Sequence, residues 1–143
     1  MEKQLPYITA ALLCEKVLEE KNGTLSIIHI ADKLNYRIEG LPEGFKPAIA
    51  LTGLIALKSG PVVGDHTVKI TVERPGGERK EVASIPFKLL GKDQGQNVIL
   101  NITLGIEQEG VYWFDVFFDE DLLTRMPLMI VQEQAQTPQE LKI

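Results

Sequence analysis

The sequence predicts an all-β protein: an antiparallel two-sheet sandwich, immunoglobulin-like, with about eight strands. Apolar and polar residues alternate with a period of two in several segments, including residues 66–73 and 97–104. Clusters of turn-forming residues separate these segments at intervals of about ten residues, which is typical of sandwiches. Only residues 10–21 have a spacing that also suits a helix.

The segment 10–21 is ambiguous. It contains good helix formers, and the Asn22-Gly23 pair that follows can end a helix. The same pair between apolar runs is also a strong signal for a β-hairpin. Residues 24–31 are strand-forming and need a partner strand, so we favour a hairpin and keep a helix as the alternative.

Residues 48–58 form the next predicted strand. This run contains a single charged residue, Lys58, at its end. Exposed edge strands are normally protected by charge. We therefore interpret residues 48–58 as a poorly protected edge that a partner strand can use.

Residues 66–73 place Val68, Ile70 and Val72 on one face, as in a half-buried strand. The chain then turns and returns over residues 79–89, where Pro86 predicts an edge strand or a bulge. Residues 97–104 alternate again and predict one further strand before the last hairpin.

The stretch from Gly110 to Pro127 predicts the closing hairpin of the sandwich, and it holds five of the nine aromatic residues. Tyr112 opens its first strand and is a candidate tyrosine corner, in which the hydroxyl binds nearby backbone. A three-residue loop over 119–121 places Phe118 opposite Leu122 and Asp115 opposite Arg125.

Asp115 and Arg125 thus form a candidate cross-strand ion pair beside Trp113, which explains a carboxylate among apolar neighbours. Such a pair fixes the register of the hairpin. In the alternative interpretation, Trp113, Asp115 and Arg125 form an exposed contact patch.

The 143 residues predict one domain, residues 1–131, followed by a flexible polar tail, residues 132–143. The net charge of −5 and the scattered basic residues indicate no nucleic-acid partner. No apolar run approaches the roughly 20 residues of a membrane helix, and no signal peptide is apparent. The single cysteine excludes an internal disulfide, so we expect a cytoplasmic protein.

The sequence offers no predicted catalytic residue, cofactor site or metal site. Cys14 lies among apolar residues and is expected to be buried. His29 and His66 have no cysteine or carboxylate partner at the spacing of a zinc site. Asp65, next to His66, is a candidate to orient its imidazole.

Two end motifs carry a resemblance. Residues 6–9, 12–18 and 25–28 with the Asn22-Gly23 turn, and residues 110–116 and 123–128 at the other end, resemble an uncharacterised family of small bacterial proteins. The resemblance implies one compact, non-secreted domain. It implies no activity, substrate or catalytic residue.

Three functions remain open. The first is a non-catalytic interaction module with a protein partner, which includes a homodimer. The second is a small-ligand or carbohydrate-binding domain in which Trp113 and Tyr112 form a stacking platform. The third is an unrecognised hydrolase, which requires His66 or His29 to face a carboxylate and a nucleophile across a cleft.

Overall fold

The computed structural model describes residues 4–37 and 40–133, which form nine strands and no helix. In chain order the strands are β1 (Tyr7–Glu19), β2 (Leu25–Ile30), β3 (Lys33–Tyr36), β4 (Ala48–Lys58), β5 (Val63–Glu73), β6 (Arg79–Leu90), β7 (Gly95–Gly105), β8 (Gly110–Phe118) and β9 (Asp121–Gln132). No helix in these ranges has the length and apolar character to cross a membrane.

The strands form two sheets that are not closed into a barrel. One sheet has the order β2-β1-β4-β7, and the other has the order β3-β9-β8-β5-β6. All pairings are antiparallel except β3 with β9, which is parallel. The predicted all-β sandwich is confirmed, with nine strands in place of about eight and with one parallel pair.

The segment 10–21 is a strand, which confirms the hairpin and shows the helix alternative to be wrong. β1 pairs with β2 on one side and with β4 on the other. Glu20 N–H donates to the Thr24 carbonyl at 2.8 Å, so the loop has three residues and ends at Gly23 with φ of 86°. Two sheet neighbours stabilise β1 more than local helix propensity opposes it.

β4 lies inside the four-stranded sheet, so the prediction of an exposed edge over residues 48–58 is wrong. It pairs with β1 on one side and with β7 over its full length on the other. Leu54 and Ile55 point to opposite faces, yet they are only 3% and 0% exposed. A nearly continuous apolar run is typical of a strand that is buried on both faces.

The core lies between the inner faces of the two sheets. Val68, Ile70 and Val72 of β5 are buried in it, as the alternation predicts. β6 is an edge strand of the five-stranded sheet, which confirms the interpretation of Pro86.

The last strand reaches Gln132, and Glu133 N–H donates to the Tyr36 carbonyl at 2.8 Å. β9 therefore includes Gln132, the first residue of the predicted tail. The rest of the predicted tail, residues 134–143, lies outside the described residues.

Candidate functional site

The β8–β9 hairpin has a different turn from the expected one but the same register at its centre. Phe118 pairs with Asp121, not with Leu122, so the turn has two residues. A register shift between Val116 and Phe117 then adds one residue to β9. The bulge restores the pairing of Asp115 with Arg125.

Asp115 is a buried carboxylate with a charged partner. Its side chain is 2% exposed, and Arg125 Nε donates to its Oδ1 at 2.7 Å. This hydrogen bond is the main reason why the pKa of Arg125 is raised. The contact satisfies a carboxylate that is costly to bury alone.

Glu73 and Arg79 extend this pair into a network of four charges that the sequence did not reveal. Arg79 Nη2 lies 2.8 Å from Glu73 Oε1, and Arg125 Nη2 lies 3.0 Å from Glu73 Oε2. The hydrogen bonds from Arg79 and then Arg125 lower the pKa of Glu73. Glu73 and Arg79 pair directly across the β5–β6 hairpin, so opposite charges flanking the Pro75–Gly77 turn were the available signal.

Trp113 lies on the outer face of the five-stranded sheet and is half-buried. The Arg125 guanidinium carbon lies 4.5 Å from the centroid of its ring, which is a cation–π contact. One face of the indole is thus covered by the residue that also binds Asp115.

Tyr112 is fully buried in the core, and its hydroxyl donates to the Gln108 carbonyl at 2.7 Å. Trp113 and Tyr112 are neighbours in one strand, so their side chains point to opposite faces. The expected joint stacking platform of Trp113 and Tyr112 is therefore wrong.

His66 has both ring nitrogens occupied. Its Nδ1 lies 2.7 Å from Asp119 Oδ2, and its Nε2 lies 2.8 Å from the Val63 carbonyl oxygen. Both partners are acceptors, so only the doubly protonated imidazolium satisfies them. Burial opposes this charge, but the hydrogen bonds to Asp119 and Val63 prevail and raise the pKa of His66.

This geometry argues against a hydrolase at His66. The orienting carboxylate is Asp119 from the β8–β9 turn, not Asp65. A ring that donates from both nitrogens has no lone pair for a nucleophile's proton or for a metal.

The other two reactive side chains, His29 and Cys14, differ in their exposure. His29 contacts Glu15 on the exposed surface. Cys14 is buried, and burial raises the pKa of its thiol. Within the described ranges, no group of three or more His, Cys, Asp or Glu side chains is placed to hold a metal ion.

β7 is a long edge strand without charged side chains. The sequence predicted an edge of this kind at residues 48–58, which form β4 instead. β7 pairs with β4 from Gly95 to Gly105 without a register shift, and no described strand pairs with its other side. It contains no ionisable residue and no proline. Edge strands are usually protected by charge, proline, a bulge or shortness, and β7 has none of these.

The free side of β7 borders a groove of about 260 Å³ shared with β6. Arg74 lines this groove and donates from Nη1 to the Gly105 carbonyl at 2.7 Å. One end of the edge is therefore already bound by a side chain. Residues 95–104 pair with β4 on one side, and no described side chain binds their backbone on the other side.

Comparison with known families decides where the chain belongs. Residues 9–131 match the profile of a family of unknown function, DUF6941. The chain belongs to DUF6941. Membership confirms the expected uncharacterised family, whose function is unknown. A search of the curated proteins finds no match.

Solved structures of β-glucosidase from Listeria innocua have a similar fold. The complex with glucose superposes with a TM-score of 0.53 at 9% identity, covering 92% of this chain and 17% of the enzyme. The complex with isofagomine gives 0.52 at 10% identity, covering 95% and 18%. The chain thus spans less than a fifth of these enzymes, and at this identity the likeness shows the fold alone.

Proposed function

We propose that this DUF6941 domain is a non-catalytic interaction module that binds a protein partner by adding a strand to the free edge of β7. The observation that carries the proposal is the edge itself, which has eleven residues, no ionisable residue and no proline, and in which the described side-chain contact lies at its end, at Gly105. In strand addition, main-chain hydrogen bonds supply affinity and alternate side chains supply specificity.

The other side chains support a binding role over a catalytic one. Both ring nitrogens of His66 contact hydrogen-bond acceptors, Cys14 is buried, and Asp115 is paired with Arg125. We assign Asp115 and Arg125 to hairpin register, because their charges already satisfy each other.

Two finer features belong to the same proposal. The Tyr112 hydroxyl bound to the Gln108 carbonyl supports an immunoglobulin-like type of sandwich. The single, unbridged Cys14 supports a cytoplasmic location.

The proposal is tested with a matched pair of variants on two edges. Asn101→Lys adds a charge to β7, and Ser84→Lys adds the same charge to β6; both positions are exposed. We expect tagged wild-type and Ser84→Lys protein to capture the same partner from the native host, identified by mass spectrometry. Asn101→Lys should lose it.

A partner retained equally by both variants would place binding elsewhere on the domain and contradict strand addition at β7. Matching melting temperatures for the two variants show that the comparison reports binding and not misfolding.

A further inference from the structure

We infer that the strand added to β7 is β7 of a second copy of this chain. The two strands run antiparallel about a two-fold axis and join two four-stranded sheets into one sheet of eight strands. This inference rests on the proposed function and names the partner of the same edge.

The absence of charge on β7 favours self-pairing. A two-fold axis places the residues beside it opposite their own symmetry mates, so a charge near the axis meets a like charge. From Gly95 to Gly105 the strand has only glycine, apolar, amide and hydroxyl side chains. No like charges then meet across the pair.

The sequence of β7 also fixes the register of the pair. Side chains directly opposite each other in a ladder point to the same face. Side chains on one face of β7 belong to every second residue, so the two residues of an opposed pair have numbers that are both even or both odd. The two numbers therefore add to an even number. Centring the axis on Leu100 pairs the whole strand, with Gly95 opposite Gly105. Val98 then lies opposite Ile102 of the second copy, and these are inner-face residues, 4% and 3% exposed.

The other long edge explains why only one sheet pairs in this way. β6 is an edge strand of the other sheet and lies near β7. It contains Pro86, which has no backbone N–H to donate to a strand ladder. It also contains four ionisable residues, Arg79, Lys80, Glu81 and Lys88. A second β6 would meet like charges and a missing donor, so the five-stranded sheets stay separate.

The register gives a test that depends on two exposed residues. It places Asn97 of one copy opposite Thr103 of the other, and within one chain these residues pair only with the small Ala56 and Ala50 of β4. Asn97→Lys with Thr103→Lys puts two lysines opposite two lysines. Asn97→Lys with Thr103→Glu puts each lysine opposite a glutamate.

The measurement is sedimentation equilibrium of the full chain over a range of concentrations. We expect wild-type protein at twice the 15.9 kDa of one chain. The lysine–lysine variant should dissociate, with a Kd about ten- to thirtyfold above that of the lysine–glutamate variant. The two variants differ at one exposed position, so equal melting temperatures at low protein concentration verify that both fold.

Two results overturn the inference. One is a wild-type mass of one chain at all concentrations up to about 1 mM. The other is a dimer that both variants leave unchanged, because that dimer uses another surface. If wild-type protein is monomeric but its captured partner is lost in Asn101→Lys and kept in Ser84→Lys, the self-pairing fails and the proposed strand addition stands.

Discussion

The two faces of β8 are stabilised in different ways. On the inner face, Tyr112, Phe114 and Phe118 are at most 2% exposed and pack in the cores. On the outer face, Trp113 and Asp115 depend on one arginine, Arg125, which stacks on the first and binds the second. The inner face needs only shape and apolar area, whereas the outer face needs a specific partner.

Burial alone does not define the core of this hairpin. Asp115 is as buried as Phe118, at 2%. Asp115 is on the face that the second sheet does not cover, and neighbouring side chains shield it. Variants that each remove one interaction measure how much the two faces contribute to stability.

The greatest loss of stability is expected from a change on the inner face. Phe114→Ala removes a fully buried ring from the centre of the core and should lower the free energy of unfolding by about 3–5 kcal/mol. Urea denaturation followed by tryptophan fluorescence measures this loss. A loss below about 1 kcal/mol would mean that Phe114 is not packed as described.

A smaller loss is expected on the outer face. Arg125→Ala leaves Asp115 buried without its 2.7 Å donor, because Arg79 approaches it only to 4.0 Å. The melting temperature should fall, but by less than in Phe114→Ala. Arg79→Ala is the matched control and should fall less again. Unchanged melting of Arg125→Ala would rule out the structural pairing and favour an exposed contact patch.

The next effect tests a single hydrogen bond on the inner face. Tyr112→Phe keeps the buried ring and removes the hydroxyl that donates to the Gln108 carbonyl. Denaturation in urea should show a loss of about 0.5–1.5 kcal/mol. A neutral result would show that the corner does not contribute to stability.

The smallest change in stability is expected at His66 of β5, which contacts Asp119 in the turn that joins β8 to β9. The folded-state pKa of His66 is raised, so its contribution to stability is complete below the unfolded value of about 6.5. The contribution is lost as the pH rises through the folded pKa. Wild-type protein should exceed His66→Gln in melting temperature most at about pH 5 and least at about pH 9. A constant difference across this range would contradict the imidazolium.

Some parts of the site were accessible from sequence because they depend on period and register. Alternation along residues 110–118 determines which side chains share a face, and the spacing to Arg125 gives its pairing with Asp115. The turn length was wrong by one residue, and the bulge in β9 compensated for it. Bulges have no clear sequence signature, so the correct pairing followed from an incorrect turn.

Other parts depend on neighbours that are distant in sequence. Asp119 meets His66 only because β8 lies beside β5 in the five-stranded sheet. Glu73 reaches Arg125 for the same reason. The prediction of an exposed edge at residues 48–58 was wrong because the sequence shows that these residues lack charge but does not show the order of strands in the sheet.

Local periodicity and turn chemistry are enough to predict the all-β class, the hairpins and the alternation of faces. Tertiary structure decided which strand is an edge, which carboxylate meets His66 and how Asp115 is shielded. Those outcomes depend on the order of strands within each sheet. That order is set by contacts between residues far apart in the chain, which local patterns do not encode.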